Sequence, residues 1–150
     1  MIQALISLGV AIVVCGAALR FGDKPARRIG AIMLGGWLVS LVVFRNSPRF
    51  TDMGVMVIDG VVAALFVWVS LSSRRLWTVV VSAFQLLAVA SHLATFIDHR
   101  VTINTYTVSL AVWSYGILSV LAFAVWRHWR EQRRAEGEGE GEGESESEGA

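Results

Sequence analysis

Five long apolar segments are the feature that most restricts how this chain can fold. They cover residues 2–19, 29–44, 53–72, 76–97 and 103–126 of the 150-residue sequence. An α-helix rises about 1.5 Å per residue, so about 20 apolar residues cross the roughly 30 Å hydrocarbon core of a bilayer. The second segment is short for this purpose and needs flanking residues to span.

Backbone hydrogen bonding decides what kind of structure these segments form. A crossing segment has no water to bond with, so only helices and closed barrels satisfy its N–H and C=O groups. Barrel strands alternate apolar and polar residues over about ten positions, and these segments do not. The sequence therefore predicts an all-α fold, a polytopic membrane helix bundle with five transmembrane helices within residues 1–134.

The connections between the segments are short, which makes consecutive helices antiparallel neighbours. They are residues 20–28, 45–52, 73–75 and 98–102. Both prolines, Pro25 and Pro48, fall in these connections. Proline is typical of a helix boundary, so this placement supports the predicted ends.

The unequal distribution of basic residues predicts how the bundle is oriented. One side of the membrane holds three of them, Arg45, Arg49 and Arg100. The other side holds ten: Arg20, Lys24, Arg27, Arg28, Arg74, Arg75, Arg127, Arg130, Arg133 and Arg134. Because cytoplasmic loops carry the excess of Lys and Arg, the N-terminus is predicted outside and the C-terminus in the cytoplasm. Four tryptophans near the cytoplasmic side are interpreted as interface anchors: Trp68, Trp77, Trp126 and Trp129.

Residues 135–150 differ in composition from the rest of the chain, since they are almost entirely Glu, Gly and Ser. Seven of the 12 acidic residues lie there, which leaves five acids against all 13 basic residues in the first 134 positions. With no large apolar side chain to bury, this segment is predicted to be a disordered acidic tail. We interpret it as a solvated extension, with contact to a basic partner as the alternative.

Two ionisable residues lie inside the predicted helices, where each costs roughly 2.5–3.5 kcal/mol on insertion scales. Asp59 lies about two turns into the third helix from the outer side, and His92 lies between one and two turns from the outer end of the fourth. Because these helices are antiparallel neighbours, we expect the two residues to lie at similar depth. A pair there would offset part of the cost of burying each group.

Further polar residues recur on the same helix faces. A seven-residue step drifts only about 20° around a helix, so residues at that spacing form one stripe. The stripe on the fourth helix consists of Thr78, Gln85, His92 and His99, and the fifth helix adds Thr107, Ser109 and Ser114. The third, fourth and fifth helices are therefore predicted to close around a polar interior that opens to the outer face.

Three functions fit such an interior. Its side chains can hydrogen-bond across helices and fix the packing. Asp59 and His92 can instead carry a proton or an ion, because histidine titrates near neutral pH. A cofactor or metal site is the third, but His92 and His99 are about 10 Å apart along the helix, too far to share one ion easily. No metal and no cofactor are therefore predicted, and a haem would fit only if a second chain supplied the other ligand.

The second helix carries small residues four positions apart, Ala31 with Gly35 and Gly36 with Ser40. Such pairs let helices approach closely in membranes. We interpret them as a packing surface, either within the bundle or towards a partner.

The chain shows no Walker, Rossmann, zincin or nucleophile-elbow motif, so no enzyme is predicted. Its basic residues lie between apolar segments, which argues against nucleic-acid binding. The sequence favours a non-catalytic subunit of a membrane assembly or homo-oligomer in a bacterial inner membrane, with lipid and other membrane subunits or itself as partners. The alternatives are a small proton- or ion-conducting transporter that uses Asp59 and His92 and, third, a holin-like membrane-perturbing protein.

Overall fold

The computed structural model describes the backbone of residues 2–46, 51–97 and 103–147, and the side chains of residues 9–43, 53–95, 97 and 108–135. Its five helices are α1 (Ile2–Phe21), α2 (Lys24–Asn46), α3 (Thr51–Ser73), α4 (Leu76–Ile97) and α5 (Ile103–Ser147). The prediction of an all-helical fold with five helices is confirmed for this part of the chain.

The length and composition of the helices indicate a membrane-embedded protein. Four of them, α2 to α5, are long and apolar enough to cross a membrane, whereas the described apolar part of α1, Gly9–Phe21, is shorter. The outward faces are apolar too, with Leu71 75% and Leu76 86% exposed. Lipid tails are as apolar as leucine, so they can cover such side chains without penalty.

The helices form a ring in which each contacts the next along the chain and α1 contacts α5. α2 and α5 also contact each other across the ring. Since the connections are short, the ends of α1 and α3 and the starts of α2 and α4 lie at the same end of the bundle. We call it the basic end, because Arg20, Arg27 and Arg28 lie near the α1–α2 connection and Arg74 and Arg75 form the α3–α4 connection. Arg127 of α5 lines a groove there together with Arg75.

The tightest packing lies between mid-depth and the basic end. The largest fully buried side chains of the described residues are Phe66, Ile29, Ile117, Leu121, Val69, Val81, Thr78 and Cys15. Neighbouring helices approach closely here: a Cβ added at Gly30 of α2 would lie 3.2 Å from the Cβ of Ala18 of α1. Towards the opposite end the bundle instead contains a cavity.

The start of α2 corrects two sequence predictions. α2 begins at Lys24 and not near residue 29, so it is long enough to span, and Pro25 lies in its first turn and not in a loop. The reason is a helix cap: Asp23 Oδ1 accepts a hydrogen bond from the backbone N–H of Ala26 at 3.0 Å. A first-turn proline is compatible with this start, because its missing N–H has no partner within the helix there. The second proline, Pro48, lies outside the described residues.

The α3–α4 connection consists of Arg74 and Arg75 alone. α3 ends because Arg74 adopts a φ of 51°, in the left-handed region usually occupied by glycine at this position. The guanidinium of Arg75 then pairs with the carboxylate of Asp23. This ion pair joins the two connections at the basic end.

The structure and the prediction of a disordered tail differ, since α5 continues to Ser147. The residues after Arg134 include no proline to stop the helix, and Glu is a good helix former. Every second residue from Gly137 to Gly143 is nevertheless glycine, which costs about 1 kcal/mol relative to alanine in a helix interior. The prediction that this segment is disordered in solution therefore stays a prediction.

Deleting residues 135–150 is expected to leave the stability of the bundle in detergent nearly unchanged. The segment has little apolar surface to bury, and its glycines make a helical conformation there less favourable. Thermal unfolding of the full chain and of the shortened chain measures the difference. A large drop in melting temperature would show that the segment docks onto the bundle.

Candidate functional site

The inward face of α4 follows a strict spacing of three and four residues. Its buried positions include Thr78, Val81, Gln85, Ala88 and His92. Polar and apolar residues alternate in this series, so α4 presents one polar group about every two turns to its neighbours. The predicted stripe on α4 is thus buried inside the bundle for all of its described members.

The structure brings together the two ionisable residues that the sequence places at matched depth. His92 Nε2 lies 2.8 Å from Asp59 Oδ2. The His92 side chain is 3% exposed and that of Asp59 25%. Contact between a carboxylate and an imidazole keeps both polar groups bonded at a depth where water is scarce.

Gln85 completes a cluster of three residues with this pair. Its side-chain amide donates to Asp59 Oδ1 at 3.3 Å and also approaches the Asp59 backbone carbonyl at 3.5 Å. Each carboxylate oxygen of Asp59 therefore has a partner on α4. The sequence analysis assigned Gln85 to the stripe but did not identify it as a hydrogen-bond partner of Asp59. The signal was available, because Gln85 lies two turns from His92 on the same face.

A half-open cavity of about 330 Å³ adjoins this cluster and is lined by residues of α2, α3, α4 and α5. Asp59 and Gln85 contribute to its wall, together with the hydroxyl-bearing residues Ser40 and Ser114. The rest of the wall is largely apolar and includes Met33, Trp37, Leu41, Val55, Val62 and Leu110. The exposed part of the Asp59 side chain therefore lies beside a cavity whose lining is mainly apolar.

A second polar cluster, not foreseen except for Thr78, lies between α3 and α4 near the basic end. The Thr78 hydroxyl donates to the Arg75 carbonyl at 2.6 Å and lies within hydrogen-bond distance of the hydroxyls of Ser73 and Ser70, at 3.1 and 3.4 Å. One turn further along α4, the Ser82 hydroxyl donates to the Thr78 carbonyl at 2.9 Å. The sequence feature that could have predicted this cluster is the group of serines in the last turn of α3, next to the short α3–α4 connection.

The two polar clusters are separated on α3 by Phe66, which is fully buried. Asp59, Phe66 and Ser73 are seven residues apart, so all three share one face of α3. The aromatic ring thus lies about 10 Å from each of the two polar residues along the helix axis.

The remaining predicted polar residues have different surroundings. Ser109 is half-buried and Ser114 lines the cavity. A residue not predicted, Ser91, accepts a hydrogen bond from the Trp113 indole N–H at 3.1 Å and so joins α4 to α5. His99 and the side chain of Thr107 lie outside the described residues. Within the described chain, no group of three or more His, Cys, Asp or Glu side chains is placed to hold a metal ion.

The small residues of α2 divide between two surfaces. A Cβ at Gly36 would lie 2.8 Å from Val62 Cγ2, so this glycine permits close contact with α3, while Ser40 lines the cavity. Ala31 is exposed, and a Cβ at Gly35 would have no neighbour within 4 Å. The pair Gly36–Ser40 therefore faces the bundle, whereas Ala31–Gly35 faces outwards.

The four predicted anchor tryptophans lie towards the basic end, and three of them make a cation–π contact with an arginine. The guanidinium carbon lies 5.9 Å from the ring centroid for Arg28 and Trp68, 4.7 Å for Arg130 and Trp126, and 4.4 Å for Arg133 and Trp129. Trp77 is half-buried and lines the groove beside Arg75. Aromatic rings paired with cations are favoured at a lipid headgroup region.

In the described part of the chain, the fold and the site indicate a membrane-embedded helical bundle in which Asp59 and His92 pair beside a half-open cavity. Comparison of the chain with known protein families, with curated proteins and with solved structures finds no match. The function must therefore be argued from the residues themselves.

Proposed function

We propose that this chain is a small proton-conducting membrane protein in which the Asp59–His92 pair carries the proton. The supporting observation is the 2.8 Å contact between His92 Nε2 and Asp59 Oδ2, since the Asp59 side chain lines the cavity. Intramembrane ionisable groups are costly and typically serve transport or proton relay. Aspartate and histidine are the side chains that typically form proton relays inside membrane proteins.

The route through the site has two parts. Asp59 exchanges a proton with the cavity, and the short hydrogen bond passes it between Oδ2 and His92 Nε2 without a large movement of either side chain. Beyond the pair, the hydroxyls of Ser82 and Thr78 on α4 and of Ser70 on α3 lie towards the basic end. Along α3, the fully buried Phe66 lies between Ser70 and Asp59. Conduction then requires water or a displaced ring at Phe66.

Purified protein in liposomes with an internal pH dye tests this proposal. A pH gradient with a potassium–valinomycin clamp should produce proton entry above that of empty liposomes, and Asp59→Asn and His92→Gln should each abolish it. Ser72→Ala is the matched control, because its exposed hydroxyl bonds only locally to the Trp68 carbonyl at 2.8 Å. Flux equal to that of empty liposomes, or unchanged in both variants, would contradict the proposal.

We also propose that the basic end faces the cytoplasm of a bacterial inner membrane, as the positive-inside rule requires. A reporter fused after Arg134 should then read cytoplasmic, and cysteines placed at Asn46 or Thr102 should react with an impermeant thiol reagent from outside. The native Cys15 is buried and is replaced by serine in these chains, so that only the introduced cysteine can react. Cytoplasmic labelling at both introduced sites would reverse the orientation.

A non-catalytic subunit of a larger membrane assembly or a homo-oligomer is the second candidate. The observation that favours it is the outward position of Ala31 and Gly35 on α2, joined on α1 by Gly9 and Gly16, where an added Cβ would meet nothing within 4 Å. Small outward residues let a second helix approach closely in a membrane. Pull-down from mild detergent distinguishes this candidate, since it requires a stable partner and no flux.

A further inference from the structure

The cavity beside Asp59 has the dimensions of a small-molecule site. Its volume of about 330 Å³ falls at the lower end of the range of ligand pockets, roughly 300–1,000 Å³. Such pockets are mainly apolar with a few polar groups that fix the ligand's orientation, and this wall has that composition. The question is which chemical class suits it.

The charge of the cavity wall indicates whether the ligand is a cation or an anion. Asp59 is the charged residue of the described cavity wall, to which α2, α4 and α5 contribute uncharged residues, while His92 of α4 contacts it from behind the wall. Gln85 and His92 engage one carboxylate oxygen each, and a carboxylate offers about four lone-pair sites. The side chain therefore keeps acceptor capacity on its exposed quarter, towards the cavity. A positive charge placed there is attracted strongly, because a wall of carbon screens it weakly.

The rest of the wall decides between an inorganic and an organic cation. A hard metal ion needs six or more oxygen ligands or its own water shell, and apolar residues such as Leu41, Val55 and Leu110 supply neither. Those residues instead match the body of an organic cation. Trp37 adds an aromatic ring to the same wall, and aromatic rings attract quaternary ammonium groups in particular.

We propose that the cavity binds a monovalent organic cation with a compact apolar body, its charge at Asp59 and its body against Trp37. The inference rests on the proposed function, because the cation competes for the Asp59–His92 pair that carries the proton. When the pair holds one proton more than the carboxylate and neutral imidazole, its net charge is zero. Entry of one cation releases that proton, so the charge buried at the site stays constant.

Benzyltrimethylammonium is a suitable probe, because it has no proton to lose and no hydrogen bond to donate. Its matched control is neopentylbenzene, in which a carbon atom replaces the nitrogen and only the charge is lost. Calorimetric titration of the full chain in detergent should show one cation bound per chain and a released proton, the latter read from buffers of different ionisation enthalpy. Neopentylbenzene should bind at least about tenfold more weakly, because it lacks the Coulomb attraction to Asp59.

Two variants locate the site. Asp59→Asn should weaken cation binding by about tenfold or more and remove the proton release. Trp37→Leu leaves the charged pair in place and should weaken binding of the cation by about threefold or more, with little change for neopentylbenzene. The Trp37 variant keeps the test decisive even where Asp59→Asn fails to fold. Ser72→Ala should bind as the original chain does.

The possible results separate this inference from the proposed function. Equal binding of both probes, or no cation binding at all, overturns the inference, and proton flux in liposomes would then still support the proposed function. Cation binding that depends on Asp59 and releases a proton, without flux in liposomes, supports the cation site and removes proton conduction. Binding that is unchanged in both the Asp59 and the Trp37 variants places the cation elsewhere and overturns the inference.

Discussion

Asp59→Asn and His92→Gln should each destabilise the bundle by about 2 kcal/mol, while the double variant should cost clearly less than the sum of the two. The reason is the direct contact between the two side chains at 2.8 Å. Each single change replaces the direct aspartate–histidine contact with a weaker contact to an amide. Removing both leaves two amides, Asn and Gln, which can bond to each other.

The size of the coupling distinguishes this pair from ordinary packing contacts. Hydrogen bonds between membrane helices average about 0.6 kcal/mol and reach about 1.7 kcal/mol in double-mutant cycles. We expect a value near the upper figure, because one partner is a carboxylate and the imidazole is almost fully buried. Reversible unfolding in mixed micelles, measured for the original chain and three variants, supplies the cycle.

A control cycle uses Asp59→Asn with Ser72→Ala, two positions on α3 about 20 Å apart along the helix axis. Their effects should add within about 0.5 kcal/mol, since they share no partner. Additive effects in the Asp59–His92 cycle as well would mean that each residue is held by separate contacts. The pair would then have no special role in stability.

The matched depth of Asp59 and His92 could be predicted because it depends only on helix rise and on the alternation of antiparallel helices. The same arithmetic placed Thr78, Gln85 and His92 on one face of α4, and all three are buried. Short connections likewise predicted which helices are neighbours. Periodic spacing is read directly from the sequence, so these features needed no knowledge of packing.

The features that were missed depend on side-chain hydrogen bonds and packing, which the spacing of apolar residues does not record. The cap formed by Asp23 extended α2 back to Lys24 and took Pro25 into the helix, which apolarity alone could not show. The cavity is lined by α2 to α5, and its volume depends on how the side chains of four helices fit together. Phe66 was counted as one more apolar residue of the third helix. Its position between two polar clusters follows only from the face that it shares with Asp59.

Phe66→Ala is expected to have two separate effects, one on stability and one on proton flux. Phe66 is the largest of the fully buried side chains, and replacing it should cost about 2–4 kcal/mol. When the helices separate in a bilayer, the Phe66 ring moves into lipid and not into water. Most of the lost free energy of unfolding therefore comes from the cavity that the substitution leaves, and less from the transfer of the ring to another solvent. Unfolding in mixed micelles measures this part.

The effect on flux follows from where that space lies. A water needs about 10–15 Å³ of accessible volume and polar partners, and the missing ring would leave such space between Asp59 and the hydroxyls of Ser70 and Thr78. Proton entry into liposomes should therefore rise severalfold in Phe66→Ala and remain dependent on His92. Phe66→Leu, which nearly conserves volume, should keep the separation and cost less than about 1.5 kcal/mol.

A second control separates opening of the route from general loosening of the bundle. Ile29→Ala removes another fully buried side chain, on α2, away from the polar face of α4. It should destabilise the bundle by about 2–4 kcal/mol without raising proton entry. Equal flux in the Ile29 and Phe66 variants would show that any loss of packing makes the bundle leak. Increased flux in Phe66→Ala alone identifies the ring as the barrier between the cavity and the basic end.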